Sequence, residues 1–122
     1  MKKLIAFLLT VLMLSTMCTA FAEDIILIDI QGQSILADYF VICSGKAANH
    51  VKVLADELED KLGKEGIRPV RTEGYQEGRW IVMDYGDILV HIFHNDEREY
   101  YNIERLWKTV DNFENYVPEK KD

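Results

Sequence analysis

The chain has 122 residues and an apolar content of 48%, which allows one compact domain with a core and argues against a second domain or extended disorder. Its formal net charge is −7 at pH 7. An acidic surface repels nucleic-acid phosphates, so the charge argues against RNA or DNA binding as the main source of affinity. The same charge suits a basic protein partner, because complementary charge raises the association rate.

Residues 1–22 are typical of a secretory signal. A basic start at residues 2–3 precedes an apolar run over residues 4–14, and small residues follow at Ala20 and Ala22. The run is too short to span a bilayer as a permanent anchor. The alternative is an N-terminal helix packed on the domain, although the run is apolar on all sides. The segment therefore predicts either export, with cleavage after Ala22, or an unusually apolar helix.

The next part of the chain predicts two strands and a helix. Residues 25–30 are rich in β-branched side chains and residues 36–44 are mostly apolar, so both are expected to form strands, separated by a turn. Apolar residues then recur at spacings of three and four, which predicts an amphipathic helix from about Ala47 to Gly63 or Gly66. Its core-facing residues are Val51, Leu54, Ala55, Leu58 and Leu62.

Three further strands are predicted in the second half. Residues 68–73 are expected to form a short polar strand near a sheet edge. Residues 80–85 and 88–93 are expected to form an antiparallel hairpin around Gly86-Asp87. Side chains alternate along the first hairpin strand, so one set can face solvent or a partner. The two sets are Trp80, Val82 and Asp84 on one face, and Ile81, Met83 and Tyr85 on the other.

A final helix and a tail complete the chain. Asp96 followed by Glu99 resembles a capping box, which predicts a helix start. The stripe expected to pack inward in part is Tyr100, Ile103, Trp107 and Val110, and the outward residues are Tyr101, Asn102, Glu104 and Arg105. Residues 114–122 are expected to be a flexible tail, so the domain spans residues 23–113. The element order predicts a single small α/β domain with a mixed sheet of about five strands flanked by helices.

Metal binding and nucleophilic catalysis have little support in the sequence. His91, His94 and the nearby Asp96 are the best metal candidates, but no further ligand follows at a recognisable spacing. Cys43 lies in an apolar run where a buried thiol is expected, and Ser44 precedes a helix, where a serine is typical of a cap or turn. No CxxC or Cys/His cluster is present. We therefore expect no metal, no cofactor and no catalytic residue.

Nucleotidyl transfer is a further possibility, because a Ser-Gly turn between a strand and a helix resembles that fold. Such enzymes need paired carboxylates that hold two magnesium ions. The strand acids Asp29, Asp84 and Asp87 are single, and no Asp-x-Asp pair is present. The sequence therefore predicts that the protein is not an enzyme.

Aromatic side chains are concentrated in the hairpin and the final helix. Such residues are favoured at the centres of interfaces, because they bury large areas and keep a polar tip. The set is Trp80, Tyr85, His91, Phe93, Tyr100, Tyr101 and Trp107. About half are expected to be core, and the others indicate a surface that binds a partner.

Several motifs, in the correct order, are similar to the ribosomal silencing factor (RsfS, Iojap-like) family. The similarity runs from about residue 22 to residue 110 with normal spacing. The matching stretches are Ala37-Asp38-Tyr39-Phe40-Val41-Ile42, Ser44-Gly45, Gly78-Arg79-Trp80, Asp84-Tyr85-Gly86-Asp87, Val90-His91-Ile92-Phe93 and Arg98-Glu99-Tyr100-Tyr101-Asn102-Ile103-Glu104-Arg105-Leu106-Trp107.

The resemblance implies a nucleotidyltransferase-like fold without the catalytic carboxylates. It also implies a cytoplasmic translational repressor that binds the large ribosomal subunit through the fourteenth large-subunit protein, a basic partner. Bound there, the protein would block subunit joining when nutrients are scarce, and the free protein would form homodimers. The alternatives are a divergent nucleotidyltransferase-like enzyme and an exported small domain of unknown role.

The resemblance places the partner-binding surface on the hairpin and the final helix. The acids of this surface would meet the basic partner. Its residues are Trp80, Asp84, Tyr85, Asp87, His91, Phe93, Tyr101, Asn102 and Glu104.

Overall fold

A computed structural model of the chain describes residues 22–116. The signal-like run lies outside the described residues, except for Ala22, and so does the end of the predicted tail after residue 116. Among the described residues, no helix has the length and apolar content needed to cross a bilayer.

One six-stranded sheet organises the described part of the chain. The elements are β1 (Glu23–Asp29), β2 (Tyr39–Gly45), α1 (Ala48–Lys64), β3 (Arg71–Glu73), β4 (Trp80–Asp84), β5 (Ile88–His94), α2 (Asn95–Tyr101), α3 (Glu104–Trp107) and β6 (Phe113–Tyr116). The strand order is β3-β4-β5-β2-β1-β6, and β2 and β5 are parallel while every other pair is antiparallel. The predicted single α/β domain with a mixed sheet is confirmed, with six strands where about five were expected.

Helix α1 covers one face of the sheet. Its five predicted core residues are all buried, because their spacing puts them on one side of the helix. They pack against side chains of β2, β4 and β5, which include Val41, Cys43, Ile81, Met83 and Ile92. Helix α1 is the crossover that allows β2 and β5 to run parallel.

The opposite face has a second core that is covered only in part. Its fully or almost fully buried members are Ile26, Ile28, Ile30, Ala37, Phe40, Ile42 and Phe93. Short elements pack on it through Ile103, Trp107 and Phe113. Within residues 22–116 no long helix covers this face, and Trp80, Val82 and Leu89 on it are only half-buried.

The chain after Asn112 differs from the prediction. A flexible tail was expected from Glu114, whereas Phe113–Tyr116 forms β6 and pairs with β1, with Phe113 opposite Ile28. Asn112 fixes the start of this strand, because its side-chain amide donates to the carbonyl oxygen of Asp29 at 3.0 Å. Four residues are too few to show a strand period, which is why the sequence pattern did not predict this strand.

The predicted final helix is two short helices. Asn102 separates them in the left-handed conformation, with φ of 43°. The expected capping box is not formed, because the N-cap is His94, whose Nδ1 accepts from the backbone N–H of Asp96 at 3.2 Å. The inward stripe is correct for Ile103 and Trp107 and wrong for two residues, because Tyr100 and Val110 are 82% and 98% exposed.

The hairpin and the short edge strand form as predicted. β4 pairs with β5 and, on its other side, with β3, which is exposed at the edge of the sheet. The loop from β3 to β4 needs a glycine at Gly74, where φ is +80° and a Cβ would lie 2.1 Å from the carbonyl oxygen of Trp80. This close turn sets the position at which Trp80 enters the sheet.

Candidate partner-binding surface

A continuous row of rings crosses the partly covered face. We call it the aromatic row, and it consists of Trp107, Phe40, His91, Phe93, Trp80, Tyr101 and Tyr100. Neighbouring ring centroids are 4.8 to 6.2 Å apart. These separations are typical of stacked and edge-to-face aromatic contacts. The row runs from the second core out to exposed residues of α2.

Trp80 lies where the row leaves the core. Its indole stacks on Phe93 with centroids 4.8 Å apart and also contacts Tyr101 at 5.0 Å. The indole Nε1–H donates to Nδ1 of His91 at 3.1 Å. Trp80 is half-buried and Tyr101 is 49% exposed, so both present part of their rings to solvent.

His91 lies beneath this surface and is 6% exposed. Because its Nδ1 accepts from Trp80, the proton of the neutral ring is on Nε2. That Nε2 is buried and has no hydrogen-bond partner among the described residues. Burial lowers the pKa of His91 to about 4, so the ring is neutral at physiological pH.

An open strip continues from Tyr101 along the hairpin. Cross-strand register places Val82 opposite His91 and Asp84 opposite Leu89, and the alternation of side chains puts these residues on the same face as Trp80. Val82, Asp84 and Leu89 are half-buried. We call the set of Trp80, Val82, Asp84, Leu89 and Tyr101 the open face.

Two carboxylates lie at the hairpin end of the open face. Asp84 accepts from the backbone N–H of Gly86 at 2.8 Å, and Asp87 is exposed in the same turn. Within residues 22–116, neither carboxylate forms an ion pair. Both negative charges are therefore available to a basic partner.

Three of the nine predicted contact residues are buried. Tyr85 is on the α1 face and is 9% exposed, because it is five positions from Trp80 and so points to the opposite side of the sheet. Its hydroxyl is buried without a partner among the described residues, and burial raises its pKa to about 12. Phe93 is fully buried beneath Trp80, and His91 is almost fully buried. In this structure these three residues therefore belong to the cores rather than to the exposed surface, and contact of each with a partner stays a prediction.

Glu104 is engaged inside the domain. Both of its carboxylate oxygens accept from Arg98, at 3.0 and 3.2 Å. Arg98 also donates to Ser44 Oγ at 2.8 Å and to the carbonyl oxygen of Asp24 at 2.5 Å. Arg98 could not be singled out from the sequence, because its partners are 6, 54 and 74 positions away and give no helical or strand spacing.

A second ion pair brings α2 to the start of β4. Arg79 donates from Nη2 to Glu97 Oε1 at 2.7 Å and from Nε to the other carboxylate oxygen. The arginine keeps the pKa of Glu97 below its usual range. This pair holds the helix that carries Tyr101 beside the strand that begins with Trp80. Of the predicted surface residues, the structure therefore brings Trp80 and Tyr101 together.

Three of the side chains considered for catalysis, Ser44, Cys43 and Asp29, are buried or hydrogen-bonded within the domain. Ser44 is buried, with its Oγ accepting from Arg98, and Cys43 is buried, which raises the pKa of its thiol to about 12. A thiol with that pKa is protonated at neutral pH and is a poor nucleophile. Asp29 accepts from the backbone N–H of Gln31. In the described part of the chain, no three His, Cys, Asp or Glu side chains are placed to hold a metal ion.

Comparisons with solved structures define the class of domain. A crystal structure of a protein from Chromobacterium violaceum has a TM-score of 0.79 at 27% identity and covers 91% of this chain and 90% of its own. A structure from Bacillus halodurans has a TM-score of 0.75 at 36% identity and covers 91% and 99%. The fold is therefore that of an existing class of small α/β domains with one mixed sheet.

Sequence comparisons identify the family. The family described as "Ribosomal silencing factor during starvation" (RsfS) matches residues 9–122. A "Ribosomal silencing factor RsfS" of Bacillus subtilis is 48% identical over 86 residues, which are 70% of this chain and 73% of that protein. "Mitochondrial assembly of ribosomal large subunit protein 1" of Mus musculus is 30% identical over 70% of this chain and 39% of that protein. The chain belongs to the RsfS family, as the motifs indicated.

Proposed function

We propose that the protein is a ribosome-associated regulator that represses translation by binding the large ribosomal subunit and blocking its union with the small subunit. Family membership supports the ribosomal role. The name of the mouse relative refers to the large subunit. The observation that carries the proposal for this chain is the open face, where half-exposed aromatic residues are followed by two carboxylates that form no ion pair with any other described residue.

The open face has the features of a protein-binding site. Trp80 and Tyr101 offer large ring surfaces at one end, and such residues carry much of the binding energy in interfaces. Asp84 and Asp87 at the other end attract positive charge and set the orientation of a basic partner. We propose the fourteenth protein of the large subunit as this partner, following the family resemblance.

The proposed mechanism is steric and needs no reaction. A domain bound at the face where the subunits meet occupies space that the small subunit needs. The buried states of Ser44 and Cys43 support a protein that acts without a nucleophile. We propose that the protein is not an enzyme and uses no cofactor.

We also propose a cytoplasmic location, where this partner is found. The family match begins at residue 9 and so includes part of the signal-like run, which supports a segment that belongs to the domain. Sequencing the N-terminus of the native protein tests this proposal. A mature protein that begins at Glu23 and is recovered outside the cytoplasm would contradict it.

The free protein is proposed to be a homodimer, as the resemblance implies. Light scattering during size-exclusion chromatography, at several concentrations, measures its mass directly. A mass near 14.2 kDa at every concentration would contradict the homodimer.

Co-sedimentation with isolated large subunits tests the main proposal. The wild-type protein should migrate with the large subunit and lower the yield of joined ribosomes when small subunits are added. Tyr101→Ala should weaken binding by at least about tenfold, since it removes an aromatic anchor. Tyr75→Ala is the matched control, because Tyr75 is an exposed tyrosine that hydrogen-bonds to Asp56 of α1, away from the open face.

Charge reversal tests the acidic end of the open face. Asp87→Lys should weaken binding most at low salt, where charge attraction acts over a longer distance. Glu65→Lys changes the net charge by the same amount at the end of α1, so it should bind like the wild type. A folded wild-type protein that does not associate with large subunits at low salt would overturn the proposed function.

A further inference from the structure

Stacking alone does not fix the orientation of Trp80. Its indole lies on the ring of Phe93 with an interplanar angle of 23°. A stacked pair of this kind can slide or rotate in the plane of contact at little cost, whereas a hydrogen bond is directional. The bond from Nε1 to His91 is therefore the contact that sets which edge of the indole faces solvent.

His91 has a more fixed position in the sheet than Trp80, to which it is hydrogen-bonded. It lies in the middle of β5, paired with Ile42 of β2 on one side and with Val82 of β4 on the other. Phe40 packs edge-on against its ring with centroids 4.8 Å apart. The acceptor atom thus belongs to the centre of the sheet, while Trp80 stands at the first position of its strand.

His91 is an unfavourable choice for a purely structural site. Its Nε2–H is buried and has no partner within residues 22–116, which costs stability. An apolar side chain of similar size would fill the space between Phe40 and Phe93 without that cost. What the apolar side chain would lack is an acceptor for the Trp80 indole.

We infer that His91 is a positioning residue, which acts through Trp80 by fixing the indole in the orientation that the ribosomal partner meets. This inference rests on the proposed function, because it assigns His91 a part in forming the open face. Pre-organisation raises affinity, since less side-chain freedom is lost on binding. His91 itself does not touch the partner.

Two substitutions of His91 distinguish the effect of its hydrogen-bond acceptor from the effect of its side-chain volume. His91→Phe keeps a ring of similar size and removes the acceptor. His91→Asn is smaller but can place an amide oxygen close to the position of Nδ1. If His91 acts by positioning, His91→Phe should bind large subunits roughly tenfold more weakly at unchanged or higher stability, and His91→Asn should stay within about threefold of wild type.

The indole N–H resonance of Trp80 reports the hydrogen bond without any ribosome. Trp107→Phe assigns that resonance, because the chain has only two tryptophans. The resonance should move upfield in His91→Phe and keep most of its shift in His91→Asn. A merely structural role predicts instead that both variants lose stability and that binding follows the folded fraction.

A double-mutant cycle completes the test. Trp80→Phe keeps a ring on Phe93 but has no N–H, so adding His91→Phe to it should weaken binding no further. A folded His91→Phe that binds like the wild type would overturn the inference, and so would equal loss in His91→Phe and His91→Asn. If the wild-type protein itself does not bind, the proposed function fails, while the resonance still decides whether His91 fixes Trp80.

Discussion

Arg98 holds both carboxylate oxygens of Glu104, at 3.0 and 3.2 Å, although the two residues belong to different short helices. The same guanidinium reaches Ser44 of β2 and the backbone of Asp24 in β1. One side chain therefore ties α2 and α3 to the ends of two strands. Because Arg98 and Glu104 are mostly buried, the pair is held in place with little competition from water.

Removing either member of this pair should destabilise the domain. We expect Arg98→Ala to lower the free energy of unfolding by roughly 2–4 kcal/mol, because it leaves a carboxylate without its partner. Urea unfolding measures the change. Arg105→Ala is the matched control on an exposed residue of the same region and should stay within about 0.5 kcal/mol of wild type. Equal stability of the two variants would contradict this role of Arg98.

The same contact changes how Glu104 should be tested as a binding residue. Glu104→Lys places a second cation beside Arg98, so the helices would separate and binding would be lost through the fold. Loss of ribosome binding in that variant alone would therefore not identify Glu104 as a contact. Substitutions of Tyr101 and Asp87 test binding more directly, because both residues are exposed.

The backbone conformation of Asn102 predicts that its glycine and alanine variants differ in stability. Its φ of 43° is in the left-handed region, which glycine adopts freely and alanine does not. Asn102→Gly should stay within about 0.5 kcal/mol of wild type, whereas Asn102→Ala should cost about 1 kcal/mol. Thermal or urea unfolding of the two variants side by side gives the comparison. An alanine variant as stable as the glycine variant would show that the backbone conformation is not what selects this residue.

Tyr85 provides a test of the two faces of the sheet. Its hydroxyl is buried without a partner among the described residues, so Tyr85→Phe should leave stability unchanged or raise it by up to about 1 kcal/mol. Large-subunit binding should not change, because Tyr85 lies on the α1 side. Reduced binding by a folded Tyr85→Phe variant would indicate that the partner contacts the α1 face of the sheet, and it would contradict the proposed open face.

Stability should depend on pH through His91. Burial lowers its folded pKa from the ordinary 6.5 to about 4, so the unfolded chain binds a proton below pH 6.5 that the folded chain does not. The stability that the folded protein gains from neutral His91 is therefore fully present above pH 6.5, and it is lost progressively as the pH falls towards 4. By pH 5 the loss is about 2 kcal/mol.

His91→Phe is the control for that pH dependence. Both proteins share all other titrating groups, so the difference between their unfolding free energies isolates His91. Wild type should lose stability relative to His91→Phe between pH 6.5 and pH 5. Parallel curves over this interval would show that His91 is not held neutral by burial.

Regular spacing explains most of what the sequence predicted. The period of three and four in α1 and the β-branched run of β1 each arise from one face of an element that meets a core, so local pattern is sufficient. The hairpin followed from Gly86-Asp87 between two apolar runs. These features need no knowledge of distant parts of the chain.

The misses come from contacts between distant residues. Arg98 meets Ser44 and Glu104 at separations that no helix or strand period contains. The left-handed backbone of Asn102 interrupts the predicted helix, and Tyr100 before the break does not pack on the core with Ile103 and Trp107 after it. The alternation of side chains along β4 already predicted that Trp80 and Tyr85 lie on opposite faces of the sheet. The binding surface predicted from the family resemblance nevertheless included both residues.

The pairing of β6 with β1 joins the last strand of residues 22–116 to the first. Until Phe113–Tyr116 has left the ribosome that synthesises it, the isoleucine-rich β1 has one edge whose N–H and C=O groups lack a strand partner. Such an edge readily recruits strands from other molecules. A nascent chain that stops before residue 113 would carry most of the sheet and almost all of the core, yet it would present the seven-residue β1 as an edge strand. The four-residue β6 takes over that edge position and, because it is short, offers other copies of the chain fewer groups with which to pair.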